Sequence, residues 1–216
     1  MDDISKLIEL FKEFPGIGPR QAKRFVYFLL NRNSNYSSEL SNLIKEVRSS
    51  VHTCEECFRF FPRLQTPERS NGGQAKTNSK LCATCTDKTR DGKLLMIVSN
   101  DVDFENIERT KSFNGYYFVL GGTVPILEKN PERMIRQKEL INIIDRKSKS
   151  GLSEIIIAVS YNPEGENTLS YLKEILSPIS EKNNIKVSNL GRGLSTGTEL
   201  EYSDSETLKN ALKNRQ

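Results

Sequence analysis

The chain has 216 residues, of which 36% are hydrophobic and 28% charged, and its formal net charge is +4 at pH 7. That length suffices for one ordinary domain with one or two small ones, and no apolar run is long enough for a membrane span, so the sequence predicts a soluble protein. One histidine and no tryptophan leave few options for acid–base catalysis near neutral pH. Residues 1–90 carry 15 Lys and Arg against 10 Asp and Glu, whereas residues 91–216 carry 17 against 18. This excess predicts a polyanionic partner for the N-terminal part.

Two amphipathic helices joined by a tight turn are predicted near the N-terminus. Apolar side chains recur with helical spacing over residues 3–13 and again after Pro19, which suits the first turn of a helix. Gly16 and Gly18 permit close approach of the backbone in the turn between them. Three cations, Arg20, Lys23 and Arg24, fall on the face of the second helix opposite its apolar stripe. These cations and the free amides at the helix N-terminus favour a bound phosphate.

The turn resembles the helix-hairpin-helix motif, which binds the DNA backbone without sequence preference. The resemblance implies that five residues contact DNA: Gly16, Gly18, Arg20, Lys23 and Arg24. A solvated basic face and an oligomerisation surface remain the alternatives, because a Gly-x-Gly turn alone is a weak signal. A third amphipathic helix is predicted next, with one apolar face formed by Leu40, Leu43, Ile44, Val47 and Val51.

All four cysteines occur in two Cys-x-x-Cys pairs, Cys54 with Cys57 and Cys82 with Cys85. This spacing predicts one tetrahedral Zn²⁺ per chain, and four sulfur ligands leave no open position, so the metal is structural. Two disulfides of a secreted protein are the alternative. Residues 1–6 lack the basic and apolar regions of a signal peptide, so we expect reduced cysteines and a cytoplasmic protein. Between the pairs, the polar segment 62–80 is predicted to be a solvated loop.

From Gly92 onward, short apolar runs alternate with helical patterns. Strands are predicted over 94–98, 116–120, 154–159 and 185–187, and helices over 101–112, 131–147 and 166–177. Strands separated by helices predict a parallel sheet in an α/β fold. Ligand sites of such folds lie at the carboxyl ends of strands, which points to the loops 99–103, 121–122 and 160–166.

The loop over residues 158–168 resembles the acidic loop of the Toprim fold of topoisomerases, primases and RecR. Active Toprim enzymes place a Glu after the first strand and Asp-x-Asp after the third, because Mg²⁺ prefers carboxylate oxygens. Ser99, Ser160 and Asn162 hold those positions here, so no catalytic residue is predicted. Two carboxylates remain, Glu164 and Glu166.

The order of these parts is similar to the RecR family across essentially the whole chain. Further matching segments are 108–110, 115–122, 164–166 and the tail 191–202. The resemblance implies a helix-hairpin-helix domain at 1–53, a four-cysteine zinc finger at 54–90 with an insertion at 62–80, a Toprim domain at 91–188 and a C-terminal tail at 189–216.

The resemblance also implies a function. It is that of a non-enzymatic, DNA-binding mediator of recombinational repair, which acts with RecO and RecF to load RecA on single-stranded DNA and forms a ring-like homo-oligomer. We expect Glu164 and Glu166 to meet basic residues of RecO. Two alternatives stay open: a metal-dependent Toprim enzyme using these glutamates, and a zinc-organised adaptor that binds only proteins.

Asp101 is interpreted as a helix N-cap.

Overall fold

The computed structural model describes residues 1–62, 80–191, 201, 203 and 205–213, without the side chains of residues 206, 210 and 213. The chain forms two compact units. Of the described residues, 1–52 and 62 lie in the first, called the helical unit, and 53–61, 80–191, 201, 203 and 205–213 lie in the second, called the mixed unit. None of the described helices has the length and apolarity to cross a bilayer. Most of the predicted loop at 62–80 and of the tail at 191–202 lies outside the described residues.

The helical unit contains the two predicted helices, α1 (Asp3–Lys12) and α2 (Pro19–Leu30). Asp2 caps α1, because its carboxylate accepts from the amide of Ser5 at 2.8 Å. Gly16 has a φ of 77°, which is the left-handed conformation that the turn requires. The rings of Phe11 and Phe25 pack edge to face across the two helices, with centroids 5.8 Å apart. Both helices are therefore confirmed.

The third helix, α3 (Ser34–Ser50), is confirmed, but large side chains of its predicted apolar face are exposed. No residue of α3 is buried, and Ile44 is 65% exposed with Leu43 and Val47 also at the surface. Val51 does not belong to the helix, because it begins strand β1 (Val51–Thr53). This strand and β2 (Phe60–Pro62) form a two-stranded sheet. A short helix, α4 (Ala83–Thr86), follows residues 63–79, which lie outside the described part of the chain.

The mixed unit has the predicted parallel α/β fold. Its four strands lie side by side in the order β4-β3-β5-β6, and all three pairings are parallel. The strands are β3 (Asp91–Val98), β4 (Gly115–Val119), β5 (Glu154–Ala158) and β6 (Lys186–Asn189). The helices are α5 (Asp101–Thr110), α6 (Gln137–Ser148), α7 (Pro163–Asn183) and, at the end of the chain, α8 (Ser205–Lys213).

Each face of the sheet is covered by helices. Leu95 and Ile97 of β3 point to one face and pack with Leu140 of α6 and Leu172 of α7. Met96 and Val98 point to the other face and pack with residues of α5. Alternate side chains of a strand point to opposite faces of the sheet, so the continuous apolar run in β3 is buried on both faces.

Two helices differ from their predicted bounds. The predicted helix 131–147 is interrupted: Pro131–Arg133 is a 3₁₀ turn, and α6 starts only at Gln137. The break occurs because the amide of Arg136 donates to Leu120 O at 2.9 Å, beyond the end of β4, and not to a helical carbonyl. In turn, α7 is longer than the predicted 166–177, since Pro163 starts it and Pro178 is accommodated inside it.

Candidate functional site

The four predicted zinc ligands lie together in the mixed unit. Cys54, Cys57, Cys82 and Cys85 have sulfur atoms all within 4.8 Å of one another, and the Sγ atoms of Cys57 and Cys82 are 3.6 Å apart. Tetrahedral Zn²⁺ with bonds of about 2.3 Å requires sulfurs about 3.8 Å apart, so the cluster fits this metal. Each pair closes a tight turn: Phe58 N donates to Cys54 O at 3.0 Å, and Cys85 N donates to Cys82 O at 3.1 Å.

The sulfur atoms of the four cysteines are largely shielded from solvent. Three of the cysteines are buried and Cys85 is half-buried. Hydrogen bonds from the neighbouring thiols lower the pKa of Cys54, whereas hydrogen bonding to Cys54, together with burial, raises the pKa of Cys57 and Cys85. A metal ion bound by all four cysteines as thiolates would displace their protons. The amide of Cys82 also donates to Cys54 Sγ at 3.4 Å.

The first cysteine turn is fixed to the edge of the parallel sheet. Val119 N of β4 donates to Cys57 O at 2.8 Å. The guanidinium of Arg136 donates through Nη1 to Phe58 O and to Val119 O, both at 2.9 Å. Asp101 Oδ1 accepts from the amide of Phe60 at 2.7 Å. The cysteine cluster and the sheet are thus joined by backbone and side-chain hydrogen bonds within one unit.

Asp101 is consequently not the N-cap that the sequence suggested. The N-cap of α5 is Asn100, whose Oδ1 accepts from Asp103 N at 2.9 Å. Sequence reasoning missed Asp101 and Arg136 as residues that hold the cysteine cluster against the sheet. Their partners lie 41 and 78 residues away along the chain, so no local pattern indicates them.

The loops after β3, β4 and β5 lie at one edge of the sheet, because these strands are neighbours and parallel. Ser99 is 2% exposed and its Oγ has no partner among the described residues. Burial raises the pKa of the Asp103 carboxyl. Asn162 caps α7 by accepting from Gly165 N at 2.8 Å. Within the described residues, the four cysteines are the only group of three or more possible metal ligands.

Glu164 and Glu166 lie in the first turn of α7 and are exposed. The residue between them must be glycine, because a Cβ atom on Gly165 would lie 1.8 Å from the carbonyl oxygen of Ser160. Glu164 Oε2 accepts from Thr123 Oγ1 at 3.3 Å, which links this turn to the loop after β4. The Glu164 carboxylate is therefore held beside that loop, and Glu166 lies two residues further along the same helix.

The loop after β4 presents two apolar side chains that the sequence reasoning missed. Glu128 N donates to Pro125 O at 3.1 Å, so Ile126 and Leu127 occupy the corners of a hydrogen-bonded turn, where Leu127 is 92% exposed. The loop is anchored to α7, since Val124 N donates to Thr168 Oγ1 at 2.8 Å. One feature of the sequence could have indicated this surface. Ile126 and Leu127 stand in a turn, where Gly, Asn or Asp are usual.

In the helical unit, the predicted DNA contacts lie at and after the N-terminus of α2. Gly18 is the N-cap and has no side chain, so the amides of the first turn are not bonded to a capping group. Arg20, Lys23 and Arg24 are exposed on one face of α2, and none of the ion pairs among the described residues includes them. Arg24 Nη1 donates to Gln21 Oε1 at 3.3 Å.

Comparison with known proteins covers nearly the whole chain. Residues 4–48 match the RecR helix-hairpin-helix model, residues 93–191 a Toprim domain model, and residues 193–216 the RecR C-terminal model. Recombination protein RecR of Prochlorococcus marinus (strain MIT 9312) is 34% identical over 213 residues, covering 98% of this chain and 94% of that protein. The chain belongs to the RecR family. Recombination protein RecR of Bifidobacterium adolescentis is 35% identical, with 98% and 94% covered, and that of Myxococcus xanthus is 32% identical, with 99% and 97% covered.

Membership of the RecR family confirms the resemblance and the fold class read from the sequence. The four-part division of the chain is finer than the two compact units of the structure, and its boundaries stay a prediction. Pro62 belongs to β2, and Lys80 pairs with Glu55 at 2.7 Å, whereas residues 63–79 between them lie outside the described part of the chain.

Proposed function

We propose that this RecR-family protein is a DNA-binding mediator of recombinational repair in the cytoplasm that catalyses no reaction of its own. Family membership supports the role in recombination. The observation that carries the DNA-binding part is the face of α2 with Arg20, Lys23 and Arg24 exposed beside an N-terminus whose amides lack a capping side chain. Partners in this proposal are RecO and RecF, and the outcome is RecA loading on single-stranded DNA.

The proposed grip uses charge and backbone amides. Phosphate oxygens accept from the free amides of the first turn of α2, where Gly16 and Gly18 allow the strand to approach the backbone closely. The side chains of Arg20, Lys23 and Arg24 pair with the neighbouring phosphates. Such contacts do not read bases, so affinity falls steeply with salt and is indifferent to sequence order.

We propose one structural Zn²⁺ bound by Cys54, Cys57, Cys82 and Cys85. When bound, the metal supplies a cross-link between the two cysteine pairs and leaves no position for a substrate. Asp101 hydrogen-bonds the strand that follows the first pair and so holds this element against the sheet. The role of the element is therefore to support the mixed unit.

The uncharged side chains that follow β3 and β5 support a binding role and not catalysis. Ser99 and Asn162 stand where an active Toprim enzyme has carboxylates, and Asn162 is engaged as the cap of α7. We propose that RecO binds the exposed Glu164 and Glu166, with Ile126 and Leu127 beside them as apolar anchors. Charge complementarity sets the orientation of such a contact, and buried aliphatic anchors add affinity.

We also propose a homo-oligomeric ring, a dimer or a tetramer, that encloses DNA. The exposed side chains of Leu43, Ile44 and Val47 on α3 support assembly. Burial of grouped apolar side chains against a second copy lowers the free energy of the oligomer relative to the separate chains.

The test of DNA binding is a charge reversal on α2. The triple variant Arg20→Glu, Lys23→Glu, Arg24→Glu should weaken binding of any DNA about 100-fold or more at low salt, since three phosphate contacts become repulsive. The matched control, Lys138→Glu, Lys149→Glu, Lys182→Glu, makes the same change of net charge on exposed residues of the mixed unit. Equal loss in both variants would contradict the proposed face. Absence of binding by the unmodified protein would favour an adaptor that binds only proteins.

The test of the RecO contact is Glu164→Ala with Glu166→Ala. We expect a weaker complex with RecO and unchanged DNA affinity, measured by titration calorimetry and by fluorescence anisotropy. Glu105→Ala with Glu174→Ala, two exposed glutamates elsewhere in the mixed unit, is the control. Equal RecO affinity of the wild type and the first variant would refute the contact.

A further inference from the structure

The basic face of α2 continues into exposed aromatic rings. Residues three, four and seven positions apart share a helix face, so Tyr27 lies one turn beyond Lys23 and two turns beyond Arg20. Phe28 lies one turn beyond Arg24. The two rings are 47% and 45% exposed. This face, with its three cations and two rings, is called the mixed face of α2 below.

Cations already approach both rings. Lys23 Nζ lies 5.9 Å from the centroid of Tyr27, and the guanidinium carbon of Arg32 lies 4.5 Å from that of Phe28. An open pocket of about 790 Å³ runs along the mixed face. It is lined by Arg20, Lys23, Arg24, Phe25, Tyr27 and Phe28 with two neutral polar residues, and no Asp or Glu is among its lining residues.

This lining discriminates between occupants. A second copy meeting the pocket through the same face would bring its own three cations against Arg20, Lys23 and Arg24, and like charges facing each other across an interface are unfavourable. An anionic occupant with flat apolar faces matches both the charge and the rings. Nucleic acid has this chemistry, and only unpaired bases offer their faces to a protein surface.

We infer that the mixed face of α2 is a site for single-stranded DNA, in which Arg20, Lys23 and Arg24 hold phosphates while bases stack on Tyr27 and Phe28. The inference rests on the proposed DNA-binding function and adds the type of strand. Each stacked base strengthens binding by about 5- to 150-fold and does so regardless of base order. A duplex gains nothing from the rings, since its bases are stacked on one another.

The experiment compares three ligands of about 20 nucleotides, namely a thymidine strand, an abasic strand with the same phosphates and a duplex. The full chain should bind the thymidine strand about 10- to 100-fold more tightly than the abasic strand. Tyr27→Leu with Phe28→Leu keeps apolar bulk and removes the rings, so this preference should disappear while duplex affinity stays unchanged. A 2-aminopurine base in the strand should change fluorescence on binding to the wild type and not to the variant.

The control is Phe14→Leu, which removes a ring of similar exposure in the helical unit from outside the mixed face. It should keep the preference, and circular dichroism checks that each variant is folded. Equal affinity of the wild type for both strands, or a preference that survives in the double variant, overturns the inference while the proposed function stands. A variant that loses duplex binding together with oligomer mass shows that the rings contact a second copy, and this also overturns it. No binding of any DNA by the wild type refutes the proposed function itself.

Discussion

The helical unit and the mixed unit use their apolar residues in opposite ways. In the described part of the helical unit, Ala22 and Val26 are the only fully buried hydrophobic residues, and large side chains such as Phe28 and Ile44 are exposed. The mixed unit buries a continuous cluster on each face of its sheet. A unit that leaves apolar surface and unpaired cations outside gains stability from contacts with other molecules, whereas a unit with a closed core holds its own shape.

This difference explains where binding and support are placed. The sheet, the cysteine cluster and the residues that join them, Asp101 and Arg136, make a framework held by hydrogen bonds and burial. The helical unit supplies the exposed cations and rings that suit a charged polymer. The predictions below test this contrast between a framework and a contact surface.

Loss of the metal should have the largest effect. We expect one zinc per chain by elemental analysis, and Cys57→Ser should abolish zinc binding and lower the stability of the mixed unit by at least about 3 kcal/mol, since structural metal sites contribute directly to folding. His52→Ala, which changes a residue outside the cysteine cluster, should keep the zinc. Protein without zinc and without titratable free thiols would show disulfides and contradict the account.

Arg136→Met should have the next largest effect. The variant leaves Phe58 O and Val119 O without the guanidinium donor. We therefore expect the free energy of unfolding, measured by urea denaturation, to fall by about 2 to 3 kcal/mol. Exposed Arg133 is the control, and Arg133→Met should change stability by less than about 0.5 kcal/mol. Similar stability of the two variants would mean that Arg136 does not hold the cysteine cluster to the sheet.

Two buried hydroxyls at the sheet edge should give the smallest effects, in different directions. Thr168→Val removes the acceptor of Val124 N and should cost about 1 to 2 kcal/mol, because a buried amide is left unpaired. Ser99→Ala removes a buried hydroxyl without a described partner and should be neutral or stabilise by up to about 1 kcal/mol. Thermal unfolding measures both. A large loss with Ser99→Ala would mean that its hydroxyl has a function in this edge.

Periodicity in the sequence predicted the parts whose structure depends on near neighbours. The apolar spacing of α1 and α2 predicted helices, the short apolar runs of β3 and β5 predicted strands, and the structure has these elements at those places. The cysteine spacing predicted a cluster that the fold brings together across 24 intervening residues. These signals are local, so a single sequence contains them.

Features that depend on distant partners were not predictable in this way. The segment 131–147 has helical spacing, yet the bond from Arg136 N to Leu120 O interrupts it. A carboxylate at Asp101 looks like an N-cap until the amide of Phe60 is placed beside it. In α3, periodicity indicates an apolar face that includes Ile44, but it does not indicate that the side chains of Leu43, Ile44 and Val47 are exposed.

Hydrogen exchange of the full chain with and without single-stranded DNA decides whether α2 is the contact surface, because it reports on the helical unit and the mixed unit in one measurement. We expect slower amide exchange over residues 16–31 and unchanged exchange in the loops 99–103, 121–128 and 160–166. Protection confined to those three loops, with none in α2, would contradict this expectation.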